Sequence, residues 1–420
     1  MEMSSSGADA NIRKNHVALA TITLLGRDGK PAANQEVTVV QTRHKFLFGC
    51  TGSSIIPLAN DELKGETKSQ AESHAASLTN LFNFVTLPFY WGRFEPKRGQ
   101  PDTARITKTA KWFTDRGCAV KGHPLCWHTV SAEWLLQMSD EEIIQTQLAR
   151  IRREVTDFAG LIEMWDVINE VVIMPIFDKY DNGITRMAKC LGRIGIIRAT
   201  FDAARSANPR AMLLLNDFDV SAAYECLIEG CLEAGIKIDA LGIQSHMHQG
   251  YWGIEKTQNV LERYAKYNLP IHFTENTLVS GKIMPPEIVD LNDYQVPEWP
   301  TTPEGEARQA EEVVTHYKTL MAHPQVKAIT WWGLQDGGWL KAPSGLLRID
   351  HSRKPAYDAL ANLVKGEWWL PPTKMTTDKK GQLRMEGFAG EYSATSGDLF
   401  ASFELNPTTQ SSFASFAPSR

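Results

Sequence analysis

From residue 45 onward the chain alternates short, nearly continuous apolar runs with longer stretches whose apolar residues recur every three or four positions. The short runs are KFLFG from Lys45, NFVTL from Asn83, AVKGH from Ala119, MWDVIN from Met164, AMLLLN from Ala211, DALGIQ from Asp239, LPIHFT from Leu269 and VKAITWWG from Val326. Rich in β-branched and aromatic residues, they read as parallel strands buried on both faces. The stretches between them have helical length. Segment 139–158 opens with Ser139 as N-cap and Glu142 three positions on, the two halves of a capping box. Segments 306–321 and 355–364 carry the same helical period. Eight such units predict an α/β fold, a (β/α)8 TIM barrel over residues 44–366. The competing arrangement is an open, doubly wound sheet.

The two ends follow another rhythm. Segment 17–40 alternates as VALATITL and EVTVV around RDGKPAAN, which predicts a β-hairpin. GQLRMEGFAGEY and DLFASFEL predict short strands at the other end. Neither end has enough apolar surface to fold alone. Residues 1–43 and 367–405 are therefore expected to join into one small accessory β-sandwich, with the Ser/Thr/Pro-rich residues 406–420 as a tail.

Charge removes several classes of partner. With 44 basic and 49 acidic residues the net charge is −5, and nucleic acids and anionic membranes both demand a basic surface. No apolar run reaches the roughly 18 to 20 residues that span a bilayer. MEMSSSGADANIRKN lacks the apolar core of a secretory signal, so the protein either stays inside or is secreted or periplasmic with its signal already removed. The six cysteines are too sparse for a disulfide scaffold and form no CxxC pair, so most are expected to be buried thiols.

In a parallel barrel the reactive groups gather where strands end. Here those ends read GHPLCWH, WDVINE, LNDFD, GIQSHMHQG, HFTEN and WWGLQDGGW, each mixing polar groups with aromatics. Tryptophan offers a flat apolar face to a sugar ring, and Asn, Gln, His and Glu read its hydroxyls; Trp91, Trp127, Trp332 and Trp339 are candidates for the first task. Glu170 and Glu275, at the ends of the fourth and seventh runs, are each flanked by side-chain amides. Such a pair, opposed across a barrel mouth, suits acid/base and nucleophilic attack on a glycosidic bond. The bland readings are surface salt bridges for the glutamates, core filling for the tryptophans and satisfied structural roles for His123 and His128. His246 and His248 form an HxH pair that serves as a metal motif in other barrels, but no further ligand set accompanies it, so neither metal nor cofactor is expected.

In this order, GHPLCWH, WDVINE, GIQSH, the FTE strand end, WWGLQD and RKPAYDAL closely resemble glycoside hydrolase family 10, known best for endo-β-1,4-xylanases. The resemblance runs from about 45 to 363, and the end segments resemble accessory pieces of some bacterial relatives. It implies a retaining enzyme on a carbohydrate substrate, without cofactor and acting as a monomer. It makes Glu170 the acid/base and Glu275 the nucleophile. It also puts His123, Trp127, Asn169, Gln244 and His246 around the sugar at the cleavage site, with Trp332 and Trp339 as platforms.

Four features depart from the family pattern. Where the family has a Glu-Asn pair and a Lys-Trp pair gripping the −2 and −1 sugars, this chain has Thr86, Leu87, Tyr90 and Trp91. Thr277 replaces the Asp that supports the strand-end histidine, and Phe218 replaces a Tyr. The segment 279–303, with Pro285, Pro286, Tyr294 and Trp299, is long enough to form a wall or lid on the leaving-group side. The catalytic pair is untouched. Substrate choice is what these changes reopen, with a decorated polysaccharide or an aryl or terpenoid glycoside as the alternative to plain xylan. A metal-dependent barrel hydrolase and a non-catalytic sugar-binding barrel are the other readings.

Overall fold

The computed structural model describes residues 5–407 and 411–418. β1 (Val17–Leu25) and β2 (Glu36–His44) precede eight parallel strands. These are β3 (Leu47–Thr51), β4 (Phe84–Pro88), β5 (Ala119–His123), β6 (Met164–Asn169), β7 (Met212–Asp217), β8 (Ala240–Met247), β9 (Ile271–Leu278) and β10 (Val326–Trp331). Every apolar run singled out in the sequence is one of them. They form a closed barrel, sealed where β10 pairs with β3 in the register Ala328↔Leu47.

Helices alternate with the strands because their apolar stripes have the strands' outer faces to cover. Val85, Leu87, Val167, Leu213 and Ile243 pack outward into one continuous core with Ile143, Ile151 and Val155 of the helix Asp140–Asp157. That helix starts at the expected capping box: Glu142 accepts from the Ser139 backbone at 2.8 Å, and Ser139 Oγ accepts from the Glu142 backbone at 3.4 Å.

After the barrel come β11 (Thr373–Thr376), β12 (Gln382–Phe388), β13 (Gly390–Ser396), β14 (Leu399–Leu405), β15 (Ser411–Ser415) and β16 (Ala417–Pro418). With the first two strands they make two sheets, ordered β12-β1-β15 and β11-β2-β13-β14-β16. Ala18, Ala20, Ile22 and Leu24 of one sheet meet Val37, Val39, Tyr392, Ala394 and Leu405 of the other.

Two expectations change here. β1 and β2 do not form a hairpin; each has an apolar face to bury, and lying in opposite sheets lets both faces share one core. Segment 406–420 is not simply a tail, because β15 adds parallel to β1 and buries Ala414, followed by Phe416. The helix Ser5–His16 was not anticipated. It docks through Ile12, through Asn15 Nδ2 donating to the Ala322 carbonyl at 2.9 Å, and through the His16 ring against the Met321 carbonyl. Among the described residues no helix is long and apolar enough to cross a membrane.

Candidate active site

Because the barrel strands are all parallel, their last residues converge on one mouth. Glu275 in β9 is 4% exposed. Its Oε2 lies 3.0 Å from His246 Nε2, and its Oε1 accepts from Asn216 Nδ2 at 3.1 Å and faces His123 Nε2 at 3.8 Å. Burial by itself pushes this carboxyl up, but the His123 charge and the His246 hydrogen bond outweigh it and hold Glu275 below the usual carboxylate range.

Glu170, one residue beyond β6, has φ 57°, a left-handed conformation that costs a non-glycine residue and is typical of functional sites. Its Oε2 accepts from Trp127 Nε1 at 2.8 Å, and its Oε1 accepts from Asn169 Nδ2 at 3.1 Å and Gln244 Nε2 at 3.2 Å. Burial pushes its pKa up to about 8; the Trp127 N–H pulls against that, while the charges of Glu275 and Asp217 add to it. Two carboxyl groups at one mouth are thus displaced in opposite directions, one towards the acid and one towards the carboxylate.

An amide relay joins them. Asn169 Oδ1 accepts from Asn216 Nδ2 at 2.7 Å and from Gln244 Nε2 at 3.0 Å, which turns its own Nδ2 towards Glu170. Asn216 can sit there because Gly242 lies beside it; a Cβ at Gly242 would fall 2.2 Å from Asn216 Oδ1. Below the mouth, Asp166 Oδ2 takes Lys121 Nζ at 2.6 Å and His123 Nδ1 at 2.8 Å. Burial disfavours that carboxylate, but Lys121 and His123 more than compensate and keep it ionised. Asp166 therefore fixes which ring nitrogen His123 presents to Glu275.

Aromatic edges line the walls. The Trp332 ring meets His123 at 5.2 Å and His246 at 6.2 Å, Tyr90 meets His123 and Trp127 at 5.6 Å each, and Trp339 lies 4.7 Å from His246. The structure thus brings Glu170, Glu275, His123, Trp127, Asn169, Gln244, His246, Trp332, Trp339 and Tyr90 to one place. One candidate sugar contact is committed elsewhere: Trp91 is 3% exposed, donates its indole N–H to Glu95 at 3.1 Å and packs under Arg150. Thr86 is as buried as Gln244, and its hydroxyl has no hydrogen-bond partner among the described residues. Leu87 is committed to the core.

Asn216, Asp166 and Lys121 were not singled out beforehand. Asn216 and Asp166 stand within the strand-end runs LND and WDVINE, and strand parity is the signal that separates inward from outward residues there. His128 is buried against Phe177 at 4.4 Å. Among the described residues no group of three or more His, Cys, Asp or Glu is placed to hold a metal.

The model of Glycosyl hydrolase family 10 matches residues 57–363. Endo-1,4-beta-xylanase B of Thermotoga neapolitana is 27% identical over 316 residues, 70% of this chain and 84% of that one. Endo-1,4-beta-xylanase C of Paenibacillus barcinonensis is 25% identical over 352 residues, covering 74% of this chain but only 32% of the longer relative. Native xylanase 10B from Thermotoga maritima superposes with a TM-score of 0.62 over 77% of this chain and 96% of that one at 23% identity, a likeness of fold.

Proposed function

We propose a mechanism on the premise that this chain belongs to glycosyl hydrolase family 10. It is a retaining glycoside hydrolase of endo-β-1,4-xylanase-like type. Glu275, ionised, attacks the anomeric carbon while Glu170, protonated, gives its proton to the departing oxygen. The glycosyl ester on Glu275 is then attacked by a water whose proton passes to the Glu170 carboxylate, restoring both groups. The observation that carries this reading is the opposed displacement of the two carboxyls within one amide relay.

Asn169 offers a donor for the sugar 2-hydroxyl, a contact that strengthens as charge builds at the anomeric carbon. Trp332, Trp339 and Tyr90 bound the ring. A fluorinated aryl xyloside tests the assignment by trapping the ester. Mass spectrometry should find the label on the peptide holding Glu275; a label elsewhere, or inverted product by NMR, would overturn it.

A second reading concerns substrate and rests on Thr86, Leu87 and Tyr90. Charged hydrogen bonds are worth about 1.5 to 3 kcal/mol each, and these three positions supply none. We therefore place linear xylan among the poorer substrates, and a decorated polysaccharide or an aryl or terpenoid glycoside among the better ones. Initial rates across such a panel decide, and turnover of linear xylo-oligosaccharides at tens per second would sink the idea. We further propose that the enzyme works outside the cytoplasm, secreted or periplasmic, where plant-wall polysaccharide is found, and that it acts as a monomer.

A further inference from the structure

In the segment 279–302, between β9 and the helix Pro303–Met321, Val279, Met284 and Trp299 close a small core with Ala342 from beyond β10, and Tyr294 packs on Trp299 at 4.8 Å. The segment is tied on three sides. Gln249, beyond β8, donates to the carbonyls of Pro285 and Ile288 at 2.9 and 2.8 Å. Trp339, beyond β10, donates to Asn292 Oδ1 at 2.9 Å. Lys179, beyond β6, reaches Asp290 at 2.6 Å and Asp293 at 2.7 Å.

The third tie matters most for function. In the barrel order β7 and β8 lie between β6 and β9, so a segment leaving β9 and anchored beyond β6 spans the mouth as a chord. Its position relative to the glutamates follows from its neighbours. Next to Lys179, Tyr180 packs on Phe177 at 4.9 Å, Phe177 on His128 at 4.4 Å and His128 on Trp127 at 6.1 Å, whose N–H is bonded to Glu170. His123 and Trp332 cluster instead on the Glu275 side, where the attacked sugar must sit. From its root by β9, where Trp299 packs on His248 and Trp339 on His246, the chord runs across to the Glu170 side, where the proton is delivered and the leaving group departs.

We propose that 279–302 is a fixed strap closing the leaving-group end of the cleft, so that this enzyme cuts where the departing group is short, a mono- or disaccharide or an aryl alcohol. The inference rests on Glu170 and Glu275 acting as described above, and it names the bond they reach. An open groove lets a polymer run through in both directions. A strap anchored to both walls admits the chain from the Glu275 side only.

The test uses xylohexaose labelled with heavy oxygen at its reducing end, beside 4-nitrophenyl β-xylobioside. The full-length chain is compared with Lys179→Met/Asp290→Asn/Asp293→Asn and with a variant whose residues 285–298 are replaced by a short Gly-Ser link. Early products of the unaltered enzyme should carry the label on xylose or xylobiose. Opening the strap should move it to longer fragments and raise kcat/KM on the hexaose about tenfold, with the aryl substrate unchanged within about twofold. Labelled xylotriose as the main early product of the unaltered enzyme overturns the proposal. So does a product pattern unmoved in both variants while aryl turnover persists. Absence of aryl turnover together with an unlabelled Glu275 refutes the catalytic assignment itself, and the strap's role falls with it.

Discussion

Replacing Trp127 by Phe should raise the pH at which activity is lost on the alkaline side. Trp127 Nε1 donates to Glu170 Oε2 at 2.8 Å, and that bond favours the ionised carboxylate over the neutral acid. Phe keeps an aromatic wall but has no N–H. A hydrogen bond to a charged group is worth about 1.5 to 3 kcal/mol, and about 1.4 kcal/mol corresponds to one pH unit. The carboxyl should therefore move up by about one to two units from its starting value of about 8. Because Glu170 acts first as an acid, activity falls as it ionises, so the alkaline limb of kcat/KM moves to higher pH. The assay is the pH profile of kcat/KM on an alkyl xyloside, whose poor leaving group needs the Glu170 proton and whose limbs report the free enzyme. An alkaline limb that stays put or moves down would show that Glu170 is not the group titrating there, or that Trp127 does not bind its charged form.

Glu170→Gln should slow hydrolysis of alkyl glycosides by about 10² to 10⁴ while sparing the first step for nitrophenyl leaving groups, and Glu275→Gln should abolish both steps; equal loss on all substrates from both changes refutes the roles. Acid should destabilise the fold through buried histidines. His248, His272 and His316 are neutral in the fold because burial lowers each to about 3. The unfolded chain protonates them near pH 6.5, so it binds more protons at every pH between, and stability falls as pH drops. Each group should cost about 2 kcal/mol at pH 5, and a urea midpoint unchanged between pH 7 and 5 would contradict this. Leu405→Ala, in the accessory core, should cost about 2 to 5 kcal/mol in thermal unfolding, whereas Phe413→Ala, at a side chain 74% exposed, should change it by under about 0.5 kcal/mol.

The barrel was legible in the sequence because burial on both faces makes each strand an apolar run bounded by helical period, a signal that survives without knowing any partner. The glutamates were legible because a parallel barrel converts the end of a run into a place. The hairpin was misread because RDGKPAAN looks like a local turn, whereas the pairing of β1 is decided by β12, far along the chain. The helix Ser5–His16 was invisible since Ile12 is its main buried apolar side chain, leaving no stripe to detect. Trp91 was assigned by residue type, and nothing in its neighbours in sequence announces that Glu95 will take its N–H and Arg150 its ring face.

The pairing of Val17 with Phe388 sets an order of events during synthesis. β1 finds its neighbours only after the entire barrel has left the ribosome. At about 5 to 20 residues per second that delay is roughly 20 to 70 s, a period in which β1 exposes both hydrogen-bonding edges to any other nascent chain. The barrel carries all eight of its strands within one continuous stretch and can close without waiting. The accessory layer thus joins strands made before the barrel to strands made after it, and it matures once the barrel has closed.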